Sequence, residues 1–396
     1  MTICKRESSF CKWLLICVIM SAIICKCSGS VSITLVESAV ASGAVCLDGT
    51  PPAYFYDPGS GSGANSWLVH MEGGGWCEDV ASCVVRKGNF RGSSSKMDKT
   101  MGFSGILGNS KASNPDFYNW NRVKVKYCDG SSFTGDSVDQ SNGLYFRGAR
   151  VWEAIMNELL AKGMKDADNA ILSGCSAGGL AAILHCDKFR SLLPGTKVKC
   201  VSDAGYFIHG KDVSGGYQIE NFFTKVVQLH GSASNLPSSC TSRMRPELCF
   251  FPQYVAQTME TPLFVINAAF DSWQIKNILA PNSADKDGSW KGCKLDLKKC
   301  SASQLQIVMG YRSQFLEALT LGGGDLSSRG SFIDSCHVHC QSGDLDTWMS
   351  GGSTVVENTK MATAVGNWFY DRENVKLIDC DNYPCNPSCK ETDSSS

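Results

Sequence analysis

Short apolar runs rich in β-branched residues recur along the chain at residues 67–70, 123–127, 170–173, 199–202 and 263–267. Gly, Pro, Asn or Asp bound each of them, so they predict buried strands. Stretches with helical spacing lie between and after them, at residues 149–161, 178–189, 303–320 and 359–370. Strands alternating with helices predict an α/β architecture, a mainly parallel central sheet with helices on both faces. Polar segments rich in Gly and Ser at 59–65, 87–113 and 281–292 predict loops that decorate one domain, since none is long enough to act as a linker. No repeat of fixed period interrupts the pattern.

The ends of the chain read differently. Lys5, Arg6 and Lys12 come before an apolar run at 13–24, and the small residues Ser28, Gly29 and Ser30 follow it. This is the layout of a cleaved export signal, and the run falls short of the roughly 20 apolar residues a transmembrane helix needs. Residues 1–30 are therefore expected to be removed, 31–389 to form one domain, and the polar 390–396 to be a disordered tail.

Composition supports export. Of 21 cysteines, five (Cys4, Cys11, Cys17, Cys25 and Cys27) lie in the expected signal, which leaves sixteen. Such a density predicts disulfides, which reducing compartments rarely permit. Cys77 with Cys83, Cys293 with Cys300, and the group Cys380, Cys385 and Cys389 are the expected local loops; Cys175 is a candidate free thiol, which would leave one further cysteine free as well. No Asn-x-Ser/Thr acceptor for N-glycosylation occurs. The 37 basic and 38 acidic residues nearly cancel, so no broad field attracts nucleic acid, and any charged substrate must be met locally.

The candidate chemistry begins at Gly174-Cys175-Ser176-Ala177-Gly178, between a strand-like run and a helix-like one. A serine hydroxyl becomes a useful nucleophile when a tight turn lifts it out of the sheet toward a base, and flanking glycines allow that turn. Strand, Gly-x-Ser-x-Gly and helix together predict the nucleophile elbow of an α/β-hydrolase fold, with Ser176 as nucleophile. The helix start adds N–H groups where an oxyanion would develop. A plain Gly-Ser turn without a catalytic task is the competing reading.

Directly after an early strand comes His70-Met71-Glu72-Gly73-Gly74-Gly75-Trp76-Cys77. Its glycines match an HGGG-type oxyanion loop, while the patterns that cradle phosphate are absent. A tight turn pinned by Cys77 is the alternative.

In this fold an acid and then a histidine follow the serine. Asp271, just past the strand at 263–267, is the expected acid, and Asp203, after the strand at 199–202, is its rival. Six histidines are present, and only His337 and His339 in Cys336-His337-Val338-His339-Cys340 come late enough. Oxidised flanking cysteines would pin that loop against Ser176. The same pentapeptide also admits a tetrahedral metal site, although oxidising export favours disulfides over thiolate ligands.

Together with Tyr127-Cys128-Asp129-Gly130-Ser131-Ser132-Phe133-Thr134-Gly135-Asp136 and Ser202-Asp203-Ala204-Gly205-Tyr206, these motifs resemble plant pectin acetylesterases, from about Thr34 to Cys389. The Notum-like carboxylesterases are similar in layout. The resemblance implies Ser176 as nucleophile, Asp271 as acid, His339 as base, and the amides of Gly74, Gly75 and Ala177 as the oxyanion hole. His337 stands where the family pattern has an aromatic residue, which leaves His337 and His339 both open as base.

The same resemblance implies a secreted cell-wall enzyme, acting without metal or cofactor and as a monomer, whose substrate is acetylated pectin. Removal of fatty acyl groups from proteins and non-catalytic binding of wall polysaccharide are the alternatives. Arg86, Lys87, Arg91, Arg147 and Arg150 are candidates to meet galacturonate carboxylates, or are solvated surface charges. Trp76 and Trp273, beside the motifs, are candidates for a sugar cleft or for the core.

Overall fold

The computed structural model of the protein describes residues 29–320 and 328–390. The expected signal, apart from its last two residues, and the tail beyond Lys390 lie outside the described residues.

Ten strands form the main sheet: β1 Val31–Leu35, β2 Ala53–Asp57, β3 Ser66–Met71, β4 Thr100–Met101, β5 Asn121–Val125, β6 Asn169–Cys175, β7 Lys197–Asp203, β8 Leu263–Ala268, β9 Gly330–Asp334 and β10 Lys376–Ile378. Their spatial order is β10-β9-β8-β7-β6-β3-β5-β2-β1-β4. From β10 to β5 every pairing is parallel; β2, β1 and β4 close the other edge in antiparallel fashion. Every residue of β3 and of β8 is buried, as expected of strands covered on both faces.

Among the described residues the α-helices of six residues or more are α1 Val80–Lys87, α2 Gly148–Ala161, α3 Ala177–Leu184, α4 Cys186–Ser191, α5 Gln218–His230, α6 Ala302–Thr320 and α7 Met361–Phe369. Neighbouring strand residues feed opposite cores. Val69, Leu172 and Val265 pack with α2, α3 and α5, whereas Leu68, Ile171, Val201, Ile266 and Phe332 pack with α7. This α/β layering is the one expected from the sequence.

Two expectations change in detail. The helix expected over 178–189 is interrupted at His185, whose φ of −102° and ψ of 2° separate α3 from α4. The His185 ring is buried, stacked on Trp152, with Nε2 bonded to the Phe133 carbonyl at 3.1 Å, so tertiary packing overrides the local spacing. The loop expected over 87–113 begins within α1 and contains the short edge strand β4.

All sixteen cysteines after the expected signal pair, in eight disulfides. Cys77–Cys83, Cys293–Cys300 and Cys380–Cys385 are the expected local loops, while Cys389 reaches back to Cys336. Cys175 is not free: it pairs with Cys340 across 165 positions.

The parallel register sets the site. Met71 of β3 lies opposite Gly174, Cys175 opposite Asp203, and Ala268 opposite Asp334. The segments leaving β3, β6, β7, β8 and β9 therefore emerge together at the carboxyl edge of the sheet, where open α/β sheets bind ligands.

Candidate active site

Ser176 is the one residue between β6 and α3, at φ 57° and ψ −126°. A non-glycine residue at positive φ is strained and persists only where its surroundings hold it. Here the Ser176 N–H donates to the Asp203 carbonyl at 2.9 Å, and its own carbonyl starts α3 by accepting from Leu180 N–H at 2.9 Å. A side chain at Gly178 would run into the carbonyls of Met71 and Glu72, and one at Gly73 would come within 2.9 Å of the Ser176 Cβ. The glycine loop and the serine turn are thus in direct contact, which only the missing side chains permit.

Asp271 follows β8, and its Oδ1 accepts the Gln274 N–H at 2.8 Å, capping a short helical turn. Its Oδ2 accepts the Nδ1–H of His339 at 2.8 Å; the two side chains are 2% and 9% exposed. A carboxylate can only accept, so this bond puts the proton of the neutral ring on Nδ1 and leaves Nε2 as a base. Among the described residues Nε2 has no hydrogen-bond partner. It therefore shares no direct bond with the Ser176 hydroxyl; such bonds often tighten only when substrate is bound. Burial lowers the His339 pKa, but the Asp271 charge, its hydrogen bond and the Asp203 charge outweigh that and hold it above the ordinary imidazole value.

The Cys175–Cys340 disulfide, with Cα atoms 5.7 Å apart, joins the residue before Ser176 to the residue after His339. Past Cys340, Asp203 Oδ2 accepts the N–H groups of Gln341 and Ser342 and the Ser342 hydroxyl, at 2.7–2.8 Å. Asp203 therefore grips the histidine loop, and the carboxylate on the imidazole is Asp271. Asp334 holds the other end, accepting from Cys336 N–H at 3.0 Å and from Gln341 Nε2 at 2.6 Å. Burial, opposed by those two bonds but helped by the charges of Asp379 and Asp203, pushes its carboxyl up to about 7. His337 is half-buried, two residues before the ring that meets Asp271.

The remaining histidines serve the framework. His70 Nδ1 meets Ser173 Oγ at 2.9 Å, and His230 Nε2 donates to the Cys77 carbonyl at 2.9 Å. Burial pushes His70 and His185 down to about 3 and His230 to about 4. His209 lies between Tyr254 and Glu220.

The glycine loop is braced from the 127–136 motif. Arg86 Nη1 donates to the Gly74 carbonyl at 2.9 Å, and Tyr127 Oη donates to the Gly75 carbonyl at 2.8 Å. In a trans peptide C=O and N–H point in opposite directions, so these bonds also fix the N–H groups of Gly75 and Trp76. Ser132 accepts from the Trp76 indole and donates to the Ala177 carbonyl, both at 2.8 Å, linking the loop to the start of α3. Ser132 and Phe133 adopt positive φ to do so, with Asp129 Oδ2 accepting from Ser131 and Phe133 N–H at 3.0 Å. The bracing by Arg86, Tyr127 and Ser132 was missed by sequence reasoning; the run of small and polar residues there was its signal.

Of the five cations singled out, four are engaged by the protein. Arg86 is buried; Lys87 donates to the Asn142 and Gly143 carbonyls; Arg147 and Arg150 share Asp136. Arg91 has no carboxylate partner among the described residues, and its Nε would be 2.9 Å from a Cβ on Gly74. Trp76 sits edge-on to Phe207, Phe223, Phe250 and Trp273, with centroids 5.1–6.3 Å apart, and Phe207 and Trp273 each lie 6.3 Å from the His339 ring.

The metal reading of the 336–340 pentapeptide fails, because both its cysteines are in disulfides and offer no thiolate. The close group Cys77, Cys83 and His230 fails for the same reason.

Comparison with known proteins assigns the chain to a family. The family profile described as Pectinacetylesterase matches residues 25–390. Two Arabidopsis thaliana proteins, pectin acetylesterase 7 and pectin acetylesterase 11, are 64% and 62% identical to the chain, over 91% and 94% of its length and 93% and 96% of their own. A palmitoleoyl-protein carboxylesterase of Xenopus laevis is 29% identical over 62% of the chain and 54% of its own length. The chain belongs to the pectin acetylesterase family of carboxylic ester hydrolases.

Proposed function

We propose that this protein removes acetyl groups from the galacturonan of cell-wall pectin, through an acetyl intermediate on Ser176. The observation that carries the reading is the joint placement of an elbow serine and an Asp271-bound imidazole on either side of one disulfide. His339 Nε2 takes the proton of the Ser176 hydroxyl as Oγ attacks the acetyl carbonyl carbon. The same nitrogen then gives that proton to the departing sugar oxygen, leaving acetyl-Ser176. Water, deprotonated in turn by His339, attacks the acetyl carbon; acetate leaves and the proton returns to Oγ. Asp271 holds the ring and its tautomer throughout.

The oxyanion of each tetrahedral intermediate sits against main-chain amides of the Gly74–Gly75 loop and of Ala177. Because the Arg86 and Tyr127 bonds orient the Gly75 and Trp76 amides, Trp76 N–H joins the proposed donors. Losing one such donor costs about 100 to 1000-fold in rate.

Acetyl rather than fatty acyl specificity is supported by the aromatic packing beside the imidazole. Phe207, Phe223 and Phe250 are fully buried around Trp76, so on that side of the imidazole rings fill the space a long chain would need. The pairing of all sixteen cysteines favours an oxidising, extracellular setting. Among the described residues no helix is long and apolar enough to cross a membrane.

Acetate release from acetylated pectin by wild type and by Ser176→Ala tests the reading. Release by the wild type, abolished in a variant with unchanged circular dichroism, is expected; an active variant removes the nucleophile.

A further inference from the structure

Beside the aromatic group lies a cleft of about 350 Å³, between α5 and the segment that follows Asp271. Trp273 and Phe222 form aromatic walls, and both rings touch Trp76, at 5.6 and 6.2 Å between centroids. The Trp273 indole also leans on His339 at 29° between planes, so the cleft adjoins the proposed reacting centre. Apart from Ile219 and Pro281, the rest of its lining is polar. Asn277 lies on a π-turn at Ile275–Leu279, a widened helical turn frequent at functional sites. Its Nδ2 donates to the Trp273 carbonyl at 2.9 Å, which fixes the amide. On the opposite wall Lys225 is exposed, and its Nζ is 3.1 Å from a carboxylate oxygen of Glu78, one residue past Cys77.

Aromatic faces combined with a fixed amide suit a sugar ring, whose C–H faces are apolar and whose rim is hydroxyl. A mobile ammonium at the same place adds the ability to take a carboxylate. Glu78 holds that ammonium while the cleft is empty, and an incoming carboxylate can compete for it at modest cost, since an exposed ion pair is worth little. We infer that this cleft is a subsite for a neighbouring galacturonate unit of the substrate chain, with Trp273 and Phe222 against the sugar and Lys225 on its carboxylate. The inference deepens the proposed function and rests on it for the identity of the polymer.

Lys225→Gln and Glu78→Gln separate the possibilities, because neither side chain belongs to the proposed catalytic machinery. On acetylated, unmethylated galacturonan, Lys225→Gln raises KM about threefold to fivefold with kcat unchanged, the range of an exposed charge contact. Glu78→Gln, which frees the ammonium, lowers KM. Both changes vanish when the polymer is methyl-esterified, and hydrolysis of 4-nitrophenyl acetate is the same in all three proteins. An unchanged KM for Lys225→Gln, or an equal loss on 4-nitrophenyl acetate, overturns the inference. Calorimetry with an unacetylated oligogalacturonide reads the cleft without turnover. If wild type binds it and Lys225→Gln binds more weakly, the subsite stands even where the polymer releases no acetate and the proposed function fails. If wild type does not bind it, the subsite fails even where acetate is released.

Discussion

The histidine loop and the cleft wall are neighbours held together in opposite ways. Residues 335–342 are anchored by two disulfides and by the carboxylates of Asp203, Asp334 and Asp271, nearly all buried. The cleft wall rests on ring contacts, one side-chain amide bond and one exposed ion pair. The contrast separates chemistry from recognition. A reacting imidazole must keep its place to a fraction of an ångström, whereas a surface that meets a long, irregular polymer needs only shape and loosely held charge.

The sharpest way to break the comparison is Asp271→Asn. Loss of the carboxylate favours the wrong tautomer of His339 and is expected to lower kcat by about 10³–10⁴-fold, as known for the corresponding change in a serine protease triad. Asp203→Asn, which leaves the acceptor of the loop amides in place, is expected to cost far less; steady-state rates on 4-nitrophenyl acetate for the two variants rank the carboxylates.

Next in size is removal of the Cys175–Cys340 bridge as a double serine variant. Closing a loop of 165 positions contributes on the order of 3–5 kcal/mol, so the melting temperature falls clearly. The displaced imidazole lowers kcat by up to about 100-fold. Removing Cys293–Cys300, whose partners are 7 positions apart, serves as control: a loss of about 2–3 kcal/mol with kcat intact.

A smaller effect is expected from Phe223→Leu. Its ring packs on Trp76, Phe250 and Phe251, and trimming it opens space beside the site. The ratio of kcat/KM for 4-nitrophenyl butyrate to that for acetate should rise several-fold, within the 1–3 kcal/mol a methylene-sized change in an apolar pocket is worth. An unchanged ratio shows that the aromatic group does not limit acyl size.

The mildest predictions concern pH. The proposed mechanism needs neutral His339, whose pKa is raised, so kcat/KM should fall on the acid side through a value above the ordinary 6.5. For Asp334 the folded pKa of about 7 exceeds the unfolded 3.8, so its neutral form is the favoured one in the fold. The stability it contributes is complete below the unfolded value and is lost as pH rises through that window to about 7. Melting temperatures of Asp334→Asn should therefore be flatter than wild type between pH 4 and 7.

Much of this was legible locally. The strands at 170–173 and 263–267, the serine turn between a strand and a helix, and the glycine loop after 67–70 follow from residue period and turn chemistry, which act over a few neighbours. Other choices were not legible. Asp203 ends one buried strand and Asp271 follows another, and only the sheet register turns one toward loop amides and the other toward a ring. His337 and His339 differ by two positions in one loop. Cys175, a candidate free thiol inside the serine motif, has its partner 165 positions away. The cleft draws Glu78, Phe222, Lys225, Trp273 and Asn277 from three separate stretches.

By itself, then, the sequence determined the α/β alternation, the strained serine turn and the residue types from which a base and an acid had to come, because short-range sterics and hydrophobic period are written into adjacent residues. Only the tertiary structure decided which carboxylate meets which imidazole, which sulfurs join and which side chains line the cleft. Those outcomes depend on strand register and on contacts between segments that share no local signal.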